Sequence, residues 1–202
     1  MKTVVLLSGG VDSAVTLALA TQRGDTCHTL TVDYGQQHRN ELAAAKTIAE
    51  HYRVPHQTVT IDPRLFAASA LTNQPELLPE RIATQPDTTY VPARNTVLLA
   101  LAVAYAETLG AARAAIGCNA DDAAAYPDCR PNYITAFRDV ITAGTTGYVW
   151  IDAPLLYHTK RETIQLAQQL GVPVELTWSC YTNSDTPCGV CGACQLRQAA
   201  LT

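Results

Sequence analysis

The chain has 202 residues, of which 48% are apolar and 16% are charged, and its formal charge is −4. A chain of this length forms one domain, or one domain with a small appendage, and buries roughly 70% of its unfolded surface. The composition excludes a disordered chain, a collagen-like repeat and a coiled coil. The acidic balance argues against a nucleic-acid partner, because proteins that bind nucleic acid carry a basic surface. Every apolar run is interrupted well before the ~18 residues of a membrane span, so we predict no membrane partner.

Apolar runs alternate with helical patterns along the chain. They predict strands at 2–7, 27–32, 56–61, 114–117 and 148–151, and helices at 14–23, 41–52, 94–109, 132–143 and 160–170. The first run is too short for the roughly 7–15-residue core of a signal peptide. The helix at 94–109 is rich in alanine and leucine and is expected to be mostly buried. Residues 72–92 hold four prolines and predict a loop or lid.

This alternation predicts the fold class. Strands followed by helices of this length indicate right-handed βαβ units. We therefore expect an α/β, Rossmann-like fold, with five parallel strands in one sheet and helices on both of its faces. Ligands bind beyond the carboxyl ends of the strands in such sheets, so the loops after the strands are the places to look for function.

The first of these loops predicts a phosphate site. It reads SGGVDS at residues 8–13 and leads into the helix predicted from Ala14. Two glycines let the backbone turn tightly and approach a ligand. The amides at the helix start and the hydroxyls of Ser8 and Ser13 favour an anion. The pattern is neither a Walker A nor a G-x-G-x-x-G motif, and the alternative is a plain helix cap made by Asp12 and Ser13.

SGGVDS resembles the SGGxDS motif of the ATP pyrophosphatase superfamily, whose members adenylate a substrate and release diphosphate. The resemblance implies an adenine nucleotide alpha hydrolase-like version of the Rossmann fold. It also implies that Asp12 holds the pyrophosphate and its Mg²⁺ and does not act as a base. The residues it implies in ATP binding are Leu7, Ser8, Gly9, Gly10, Val11, Asp12, Ser13, Ala14 and Leu17.

Four of the seven cysteines crowd the C-terminal end, at Cys180, Cys188, Cys191 and Cys194. The odd total favours a metal site in a cytoplasmic protein over a disulfide framework. Four thiolates at this spacing suit a closed, structural Zn²⁺ site, with Gly189 and Gly192 allowing tight turns. An iron–sulfur cluster and four free thiols are the alternatives. We expect residues 1–175 to form the nucleotide-binding domain and 176–202 a zinc-binding segment packed on it.

Three further loops carry polar residues that a packed core does not need. They are DYGQQH at 33–38, YVPARN at 90–95, and GCNADD with YPDCR between 117 and 130. Each has a structural alternative. His38 suits a surface or capping position, Arg94 can cap the preceding loop, and Asp121 with Asp122 can form a solvated turn.

Taken together, these segments resemble one family. SGGVDS, DYGQQHRNE, VPARN, the 119–122 stretch, YPDCR, PLLYHTKRE, TWSCY and CGVCGAC occur in the order seen in the 7-cyano-7-deazaguanine synthase (QueC) family. The resemblance spans nearly the whole chain and implies ATP-dependent conversion of 7-carboxy-7-deazaguanine and ammonia to the 7-nitrile. It also implies zinc on the cysteines and a homodimer. Two departures are Ala93, where the family usually has glycine, and Ala123-Ala124-Ala125, where it usually has Tyr-Ser-Gly.

The implied chemistry suggests roles for the polar residues. A carboxylate must be adenylated before ammonia attacks it, and the amide must be adenylated again before it loses AMP to become a nitrile. Residues 8–13 would stabilise the diphosphate leaving group. The catalytic candidates are Asp12, Ser13 and Lys160, and the alternative for Lys160 is a solvated lysine at a helix start. The candidates for substrate and magnesium binding are Arg94, Asn95, Asp122, Tyr126, Asp128 and Arg130.

Two other functions are alternatives to this one. A tRNA-thiolating enzyme of the same superfamily would need catalytic or cluster-binding cysteines and a surface for tRNA, which the acidic balance disfavours. A zinc-knuckle contact to nucleic acid predicts basic and aromatic residues around the cysteines, and residues 188–196 contain none. We therefore expect small-molecule substrates, no direct nucleic-acid partner and a cytoplasmic enzyme.

Overall fold

The computed structural model describes residues 1–36, 38–66, 69–73, 90–181 and 186–201. In these ranges one sheet of five parallel strands has the order β3-β2-β1-β4-β5. The strands are β1 (Lys2–Leu6), β2 (Thr26–Asp33), β3 (His56–Thr60), β4 (Arg113–Ala115) and β5 (Trp150–Asp152). The predicted strand number and parallel direction are confirmed. The strand β5 begins two residues later than predicted, because its pairing with β4 starts only at Trp150.

Helices cover both faces of the sheet. They are α1 (Val11–Gln22), α2 (Asn40–Tyr52), α3 (Ala70–Asn73), α4 (Arg94–Leu109), α5 (Ala120–Ala125), α6 (Pro131–Gly144), α7 (Lys160–Gln169) and α8 (Gly192–Leu201). Single tighter turns occur at Pro63–Phe66, Pro127–Cys129 and Val174–Leu176. None of the helices in the described ranges is both long and apolar enough to cross a membrane.

The central strand β1 explains why two helical layers form. Successive side chains of a strand point to opposite faces. Val4 and Leu6 pack in a core with α4 and α6, whereas Val5 and Leu7 pack in a second core with α1, α2 and α7. A strand that is apolar on both faces is stable only between two layers of helices. The predicted α/β architecture is confirmed.

Several predicted details differ from the structure. The helix α1 begins at Val11 and not at Ala14, because Gly10 already has the extended backbone of a helix cap and offers no side chain that would mark it. The helix α4 is buried on one face only, and Ala100 and Ala104 are exposed, since a single side of it meets the sheet. Within the predicted loop 72–92, residues 72–73 belong to α3, and residues 74–89 lie outside the described ranges.

Candidate active site

A cavity of about 290 Å³ opens at the carboxyl ends of the strands. It lies where β1 and β4 are neighbours, although the chain passes through β2 and β3 between them. At such a switch point the loops of two adjacent strands turn away from each other and leave a crevice. The walls are the loops after β1, β2 and β4, the first turns of α4 and α7, and the cysteine segment around residues 178–193.

The loop after β1 brings two serine hydroxyls together. The Ser8 and Ser13 Oγ atoms lie 3.2 Å apart. The Ser13 hydroxyl also accepts the Ser8 amide N–H at 3.2 Å and donates to the Gly10 carbonyl at 2.9 Å. The helix α1 begins directly behind them at Val11, and the first amides of a helix have no acceptor within it. The hydroxyls, these amides and the positive end of the helix dipole favour an anion on this wall.

Close packing explains the glycines around this loop. Gly9 has a φ of +90°, and a Cβ built there would lie 2.1 Å from the Glu41 carbonyl oxygen. Gly117, which follows β4, is also confined, because its Cβ would lie 2.9 Å from the backbone of Asp12. Side chains at either position would force the phosphate loop away from its neighbours.

The predicted ATP-binding residues fall into two groups. Those that line the cavity are Leu7, Ser8, Gly10, Val11, Asp12 and Ser13. Ala14 and Leu17 have no exposed surface and pack in the core behind the loop. Gly9 contacts α2 and is absent from the cavity wall. The structure therefore brings together the loop and the first turn of α1, whereas Ala14 and Leu17 support that turn from behind.

Asp12 lies against a cation. Its Oδ2 atom accepts a hydrogen bond from Lys160 Nζ at 2.5 Å, and the Lys160 backbone amide donates to Asp121 Oδ2 at 2.7 Å. The Asp12 Oδ1 atom is buried and has no hydrogen-bond partner within the described ranges. A carboxylate oxygen without a donor is the kind of ligand that Mg²⁺ prefers. The residues present therefore fit a magnesium ion held together with ATP.

Asp122 adds a second carboxylate to this region. Burial, followed by the negative charge of Asp12, raises the pKa of Asp122 to about 6. The Asp122 amide donates to Asn119 Oδ1 at 2.9 Å, and Asp122 Oδ2 accepts the Asn119 amide at 3.4 Å, so the pair caps α5 reciprocally. A solvated turn fits Asp121, which is exposed, but not the half-buried Asp122.

Arg94 reaches the cavity from the first residue of α4. Its Nη1 atom donates to the Tyr34 hydroxyl at 3.3 Å, and its guanidinium lies 5.9 Å from the centre of the Tyr34 ring. Burial opposes the charge of Arg94, but Tyr34 and the nearby carboxylates of Glu41 and Asp128 together outweigh it and raise the pKa of the guanidinium. Its hydrogen-bond partner is thus a hydroxyl and not a carboxylate, which leaves it able to bind a planar acid group.

Asn95 and Asp128 hold each other. The Asn95 amide N–H donates to Asp128 Oδ2 at 2.9 Å, and Asn95 Nδ2 donates to the Asp128 carbonyl at 3.3 Å. Asp128 is 7% exposed and is absent from the cavity wall. Arg130 is exposed, and its Nε atom donates to the Ala123 carbonyl at 3.3 Å. Of the predicted substrate-binding residues, those brought to the cavity are Arg94, Asn95, Asp122 and Tyr126.

Other cavity residues were not predicted as ligands. The wall also includes Tyr34, Gln36, His38, Glu41, Trp178 and Tyr181. A surface position for His38 is wrong, because His38 is 4% exposed and its Nε2 atom lies 3.0 Å from Glu41 Oε2. The sequence signal that could have indicated this contact is the spacing of three residues between His38 and Glu41. Trp178 and Tyr181 reach the cavity wall because the cysteine segment packs against the phosphate loop. No local sequence pattern predicts that packing.

Four cysteine sulfurs converge beside the cavity. The Sγ atoms of Cys180, Cys188, Cys191 and Cys194 all lie within 4.8 Å of one another. The Cys188 amide donates to Cys180 Sγ at 3.3 Å, and the Cys191 amide donates to Cys188 Sγ at 3.4 Å. Four converging thiols with amides directed at sulfur form a candidate metal site. Gly189 has a φ of +74°, as a tight turn requires, whereas Gly192 begins α8 instead of a second turn.

The cysteine segment packs onto the phosphate loop. The Trp178 amide donates to the Gly9 carbonyl at 2.8 Å. Arg197 of α8 donates to the carbonyls of Thr177 and Val174 at 3.1 and 2.6 Å. The segment that carries the cysteines is thus tied to the loop that carries the serines. The division of the chain between residues 175 and 176 stays a prediction.

Comparison with known proteins adds the family. The model of the family "Queuosine biosynthesis protein QueC" matches residues 2–202. The chain belongs to the QueC family. It is 46% identical over 212 residues to the 7-cyano-7-deazaguanine synthase of Nostoc punctiforme, covering all of this chain and 95% of that protein. It is 43% identical over 203 residues to the enzyme of the same name from Thermoplasma volcanium, covering 97% of this chain and 84% of that protein.

Solved structures that resemble this QueC-family chain share its fold. The U34-tRNA thiolase NcsA of Methanococcus maripaludis, with its [4Fe-4S] cluster, matches with a TM-score of 0.55 and 20% identity. The match covers 99% of this chain and 63% of the thiolase. A 4-thiouridine synthetase in complex with RNA and ATP matches with a TM-score of 0.53 and 18% identity, covering 99% of this chain and 49% of that one. These likenesses confirm the adenine nucleotide alpha hydrolase-like fold and say nothing about substrate.

Proposed function

We propose that this chain is an ATP-dependent ligase that converts 7-carboxy-7-deazaguanine and ammonia to 7-cyano-7-deazaguanine, for queuosine or a related 7-deazapurine. The observation that carries the proposal is the Asp12–Lys160 ion pair beside the loop that holds Ser8 and Ser13. The chain is also 46% identical over its length to an enzyme named for this product. The neighbouring thiolase and thiouridine synthetase support the fold only. The acidic composition and the absence of basic residues at 188–196 favour a small-molecule substrate over RNA.

The phosphate loop would stabilise the leaving group of the adenylation. As the substrate carboxylate oxygen attacks the α-phosphorus of ATP, negative charge gathers on diphosphate. The hydroxyls of Ser8 and Ser13 and the amides at the start of α1 are already oriented, so they stabilise this charge without reorganising. Lys160 supplies a cation held in place by Asp12. A bound Mg²⁺, held by Asp12 Oδ1 and Asp122, would neutralise phosphate charge.

The same site would serve both halves of the reaction. Ammonia attacks the acyl adenylate and expels AMP, which gives the amide. The amide oxygen then attacks the α-phosphorus of a second ATP, and loss of AMP leaves the nitrile. Each product therefore consumes two ATP and releases two AMP and two diphosphate ions.

Arg94 is the proposed partner of the substrate's acid group. It is half-buried at the cavity wall, with a hydroxyl as its hydrogen-bond partner, so a planar carboxylate can approach it. Tyr126 lines the same cavity, and its ring is stacked with that of Tyr90 at 6.4 Å between centres, which suits a flat heterocycle. Asn95 also lines the cavity, and Asp128 would act through its hydrogen bonds to Asn95. Arg130 would have to reach substrate from outside the cavity wall.

The cysteine cluster is proposed to hold one structural Zn²⁺ per chain. Sulfurs within 4.8 Å of one another suit a single ion at about 2.3 Å from each. An iron–sulfur cubane binds each thiolate to a different iron and spreads the sulfurs further apart. A closed site of four thiolates cross-links the segment and leaves no position for substrate. Seven cysteines in the chain, four of them converging on this site, favour a cytoplasmic enzyme, and we propose a homodimer on the family resemblance.

Mass spectrometry of the purified protein with ATP, Mg²⁺, ammonium and 7-carboxy-7-deazaguanine tests the proposal. The expected result is the nitrile, with two AMP formed per product. The Asp12→Ala variant, which loses the pair with Lys160, should form no AMP while keeping its fold. AMP without amide or nitrile would point to another acid substrate, and no AMP from folded, metal-loaded protein would overturn the proposal.

A further inference from the structure

The loop after β2 builds a buried hydrogen-bond network. The Gln36 side chain accepts the Tyr34 amide N–H at 2.9 Å, and its Nε2 atom donates to Glu41 Oε1 at 2.9 Å. Gly35 turns the chain between them with a φ of +83° and packs against Pro63. Glu41, in the first turn of α2, is thus fixed through one of its carboxylate oxygens.

The second oxygen of Glu41 binds His38. Glu41 Oε2 lies 3.0 Å from His38 Nε2, and the side chain of His38 is 5% exposed. The His38 Nδ1 atom is buried and has no hydrogen-bond partner within the described ranges. A carboxylate can only accept a hydrogen bond, so Nε2 carries the proton of this contact. A second proton on Nδ1 would be buried without an acceptor, which is costly. The form with a proton on Nε2 and a lone pair on Nδ1 fits both of these contacts.

The ring of His38 belongs to the cavity wall. His38 and Glu41 both line the cavity, as do their neighbours Tyr34 and Gln36. Tyr181, from the cysteine segment, meets the His38 ring edge-on, with 5.8 Å between ring centres. The imidazole is thus held by two contacts, a carboxylate on one nitrogen and an aromatic ring packed against it in a T-shaped arrangement.

The proposed reaction needs a base that its phosphate machinery does not supply. When ammonia attacks the acyl adenylate, the C–N bond forms, the bond from carbon to the AMP oxygen breaks, and the nitrogen must lose one proton. When the adenylated amide becomes a nitrile, the same nitrogen loses its two remaining protons as AMP departs. Asp12 is engaged with Lys160 and is not free for this role.

We propose that His38 is the general base of both steps, with Glu41 as its positioning residue. In the amide step, Nδ1 accepts the one N–H proton as AMP leaves. In the nitrile step, it accepts one of the two N–H protons, and the other passes to water or to the phosphate of the departing AMP. Glu41 stabilises the imidazolium through Nε2–H in each step, and the imidazolium returns its proton to water before the next one. An oriented imidazole that takes a proton in this way contributes typically 10²–10⁴-fold to a rate. This inference rests on the proposed function, because it assigns a residue to the proton transfers of that reaction.

The test separates adenylation from the steps that need a base. Exchange of labelled diphosphate into ATP, with the acid substrate and no ammonia, measures reversible adenylation alone. In His38→Gln we expect this exchange to stay within about threefold of wild type, while amide and nitrile formation falls by roughly 10²-fold or more. Untrapped adenylate is hydrolysed, so the ratio of AMP to nitrile should rise well above two. The matched control His51→Gln, at the exposed end of α2, should change neither quantity.

A second measurement does not depend on activity. The ¹⁵N shifts of the His38 ring should report the Nε2–H form in wild type, and Glu41→Gln should change that form and lower product formation while exchange persists. Exchange and product falling by the same factor in His38→Gln, product formation at the wild-type level, or an Nδ1–H form in wild type would each overturn the proposal. A wild-type protein that makes neither exchange nor nitrile overturns the proposed function itself.

Discussion

The ammonium group of Lys160 and the carboxylate of Asp12 lie 2.5 Å apart, although 148 residues separate them in the chain. Asp12 belongs to the first turn of α1, and Lys160 is the first residue of α7. Two helix starts therefore meet at the phosphate loop, and each contributes one charge to it. The pair sets the position of a cation at the site where diphosphate would leave.

Replacing Lys160 tests this arrangement. We expect Lys160→Gln to lower the rate of AMP formation by about 10²–10³-fold, because an oriented charge is lost from the leaving-group site. Lys160→Arg should retain part of the rate. The comparison variant is Lys46→Gln, an exposed lysine on α2, which should be unaffected. AMP formation by Lys160→Gln at the wild-type rate would mean that the pair is only structural.

The raised pKa of Asp122 predicts how magnesium use depends on pH. The folded pKa of about 6 lies above the ordinary 3.8, so the carboxyl is protonated and unable to bind metal below about pH 6. The affinity for Mg²⁺ in AMP formation should rise with pH and level off above about 6. Asp122→Asn should remove this rise, and a midpoint near 3.8 in wild type would contradict the assignment.

The raised pKa of Asp122 also makes the free energy of unfolding depend on pH. Folding favours the neutral form of Asp122, so its stabilising contribution is fully present below pH 3.8 and is lost as the pH rises through about 6. Denaturant unfolding of wild type and Asp122→Asn across this range should show the difference between them growing in favour of Asn as the pH rises from 3.8 to about 6, and staying constant above that.

Ala93 carries backbone strain that glycine would relieve. Its φ and ψ are +52° and +25°, in the left-handed region, directly before Arg94 and α4. The left-handed conformation costs a residue with a Cβ roughly 1–2 kcal/mol. We expect Ala93→Gly to raise the free energy of unfolding by about 1 kcal/mol, after the entropy of a more flexible unfolded chain is subtracted. Ala104→Gly, on the exposed face of α4, should instead lower it by roughly 0.5–1 kcal/mol, and a destabilised Ala93→Gly would show that the strain is absent.

Metal loss should disable the nucleotide site. We expect Cys191→Ser to lose its bound metal, to unfold at a lower temperature and to form no AMP, because the Trp178 contact to Gly9 depends on a folded cysteine segment. Cys27→Ala, which removes a buried thiol elsewhere, should keep one metal per chain. Elemental analysis that finds iron in place of zinc would refute the zinc assignment, and full ATP use by metal-free protein would refute the coupling.

The sequence was sufficient where the signal is local. Val4 and Val5 alternate between two cores, and such apolar runs, interrupted by helical periods, predict the five parallel strands. The phosphate loop is also local, since its glycines and serines lie within six residues. The start of α1 was misplaced by three residues because Gly10, which caps it, has no side chain to mark the boundary.

The features that could not be predicted from the sequence are those that tertiary packing creates. His38 and Glu41 are near neighbours in sequence. Only their burial in the structure distinguishes the proposed base and its positioning residue from an exposed ion pair. Asp128 was grouped with the ligands of the cavity, and the structure places it against the Asn95 amide instead. The helix α8 was missed because the spacing of Cys191 and Cys194 suggested turns, whereas it also fits the helix that begins at Gly192.

The Trp178 amide that binds the Gly9 carbonyl also sets an order of events during synthesis. The cavity takes its walls from residue 6 to residue 193, so a nascent chain on the ribosome lacks one wall until residue 193 has emerged. The five strands are complete by residue 152 and can pair earlier. The strands of the sheet can therefore pair during translation before the cavity at their carboxyl ends has all its walls.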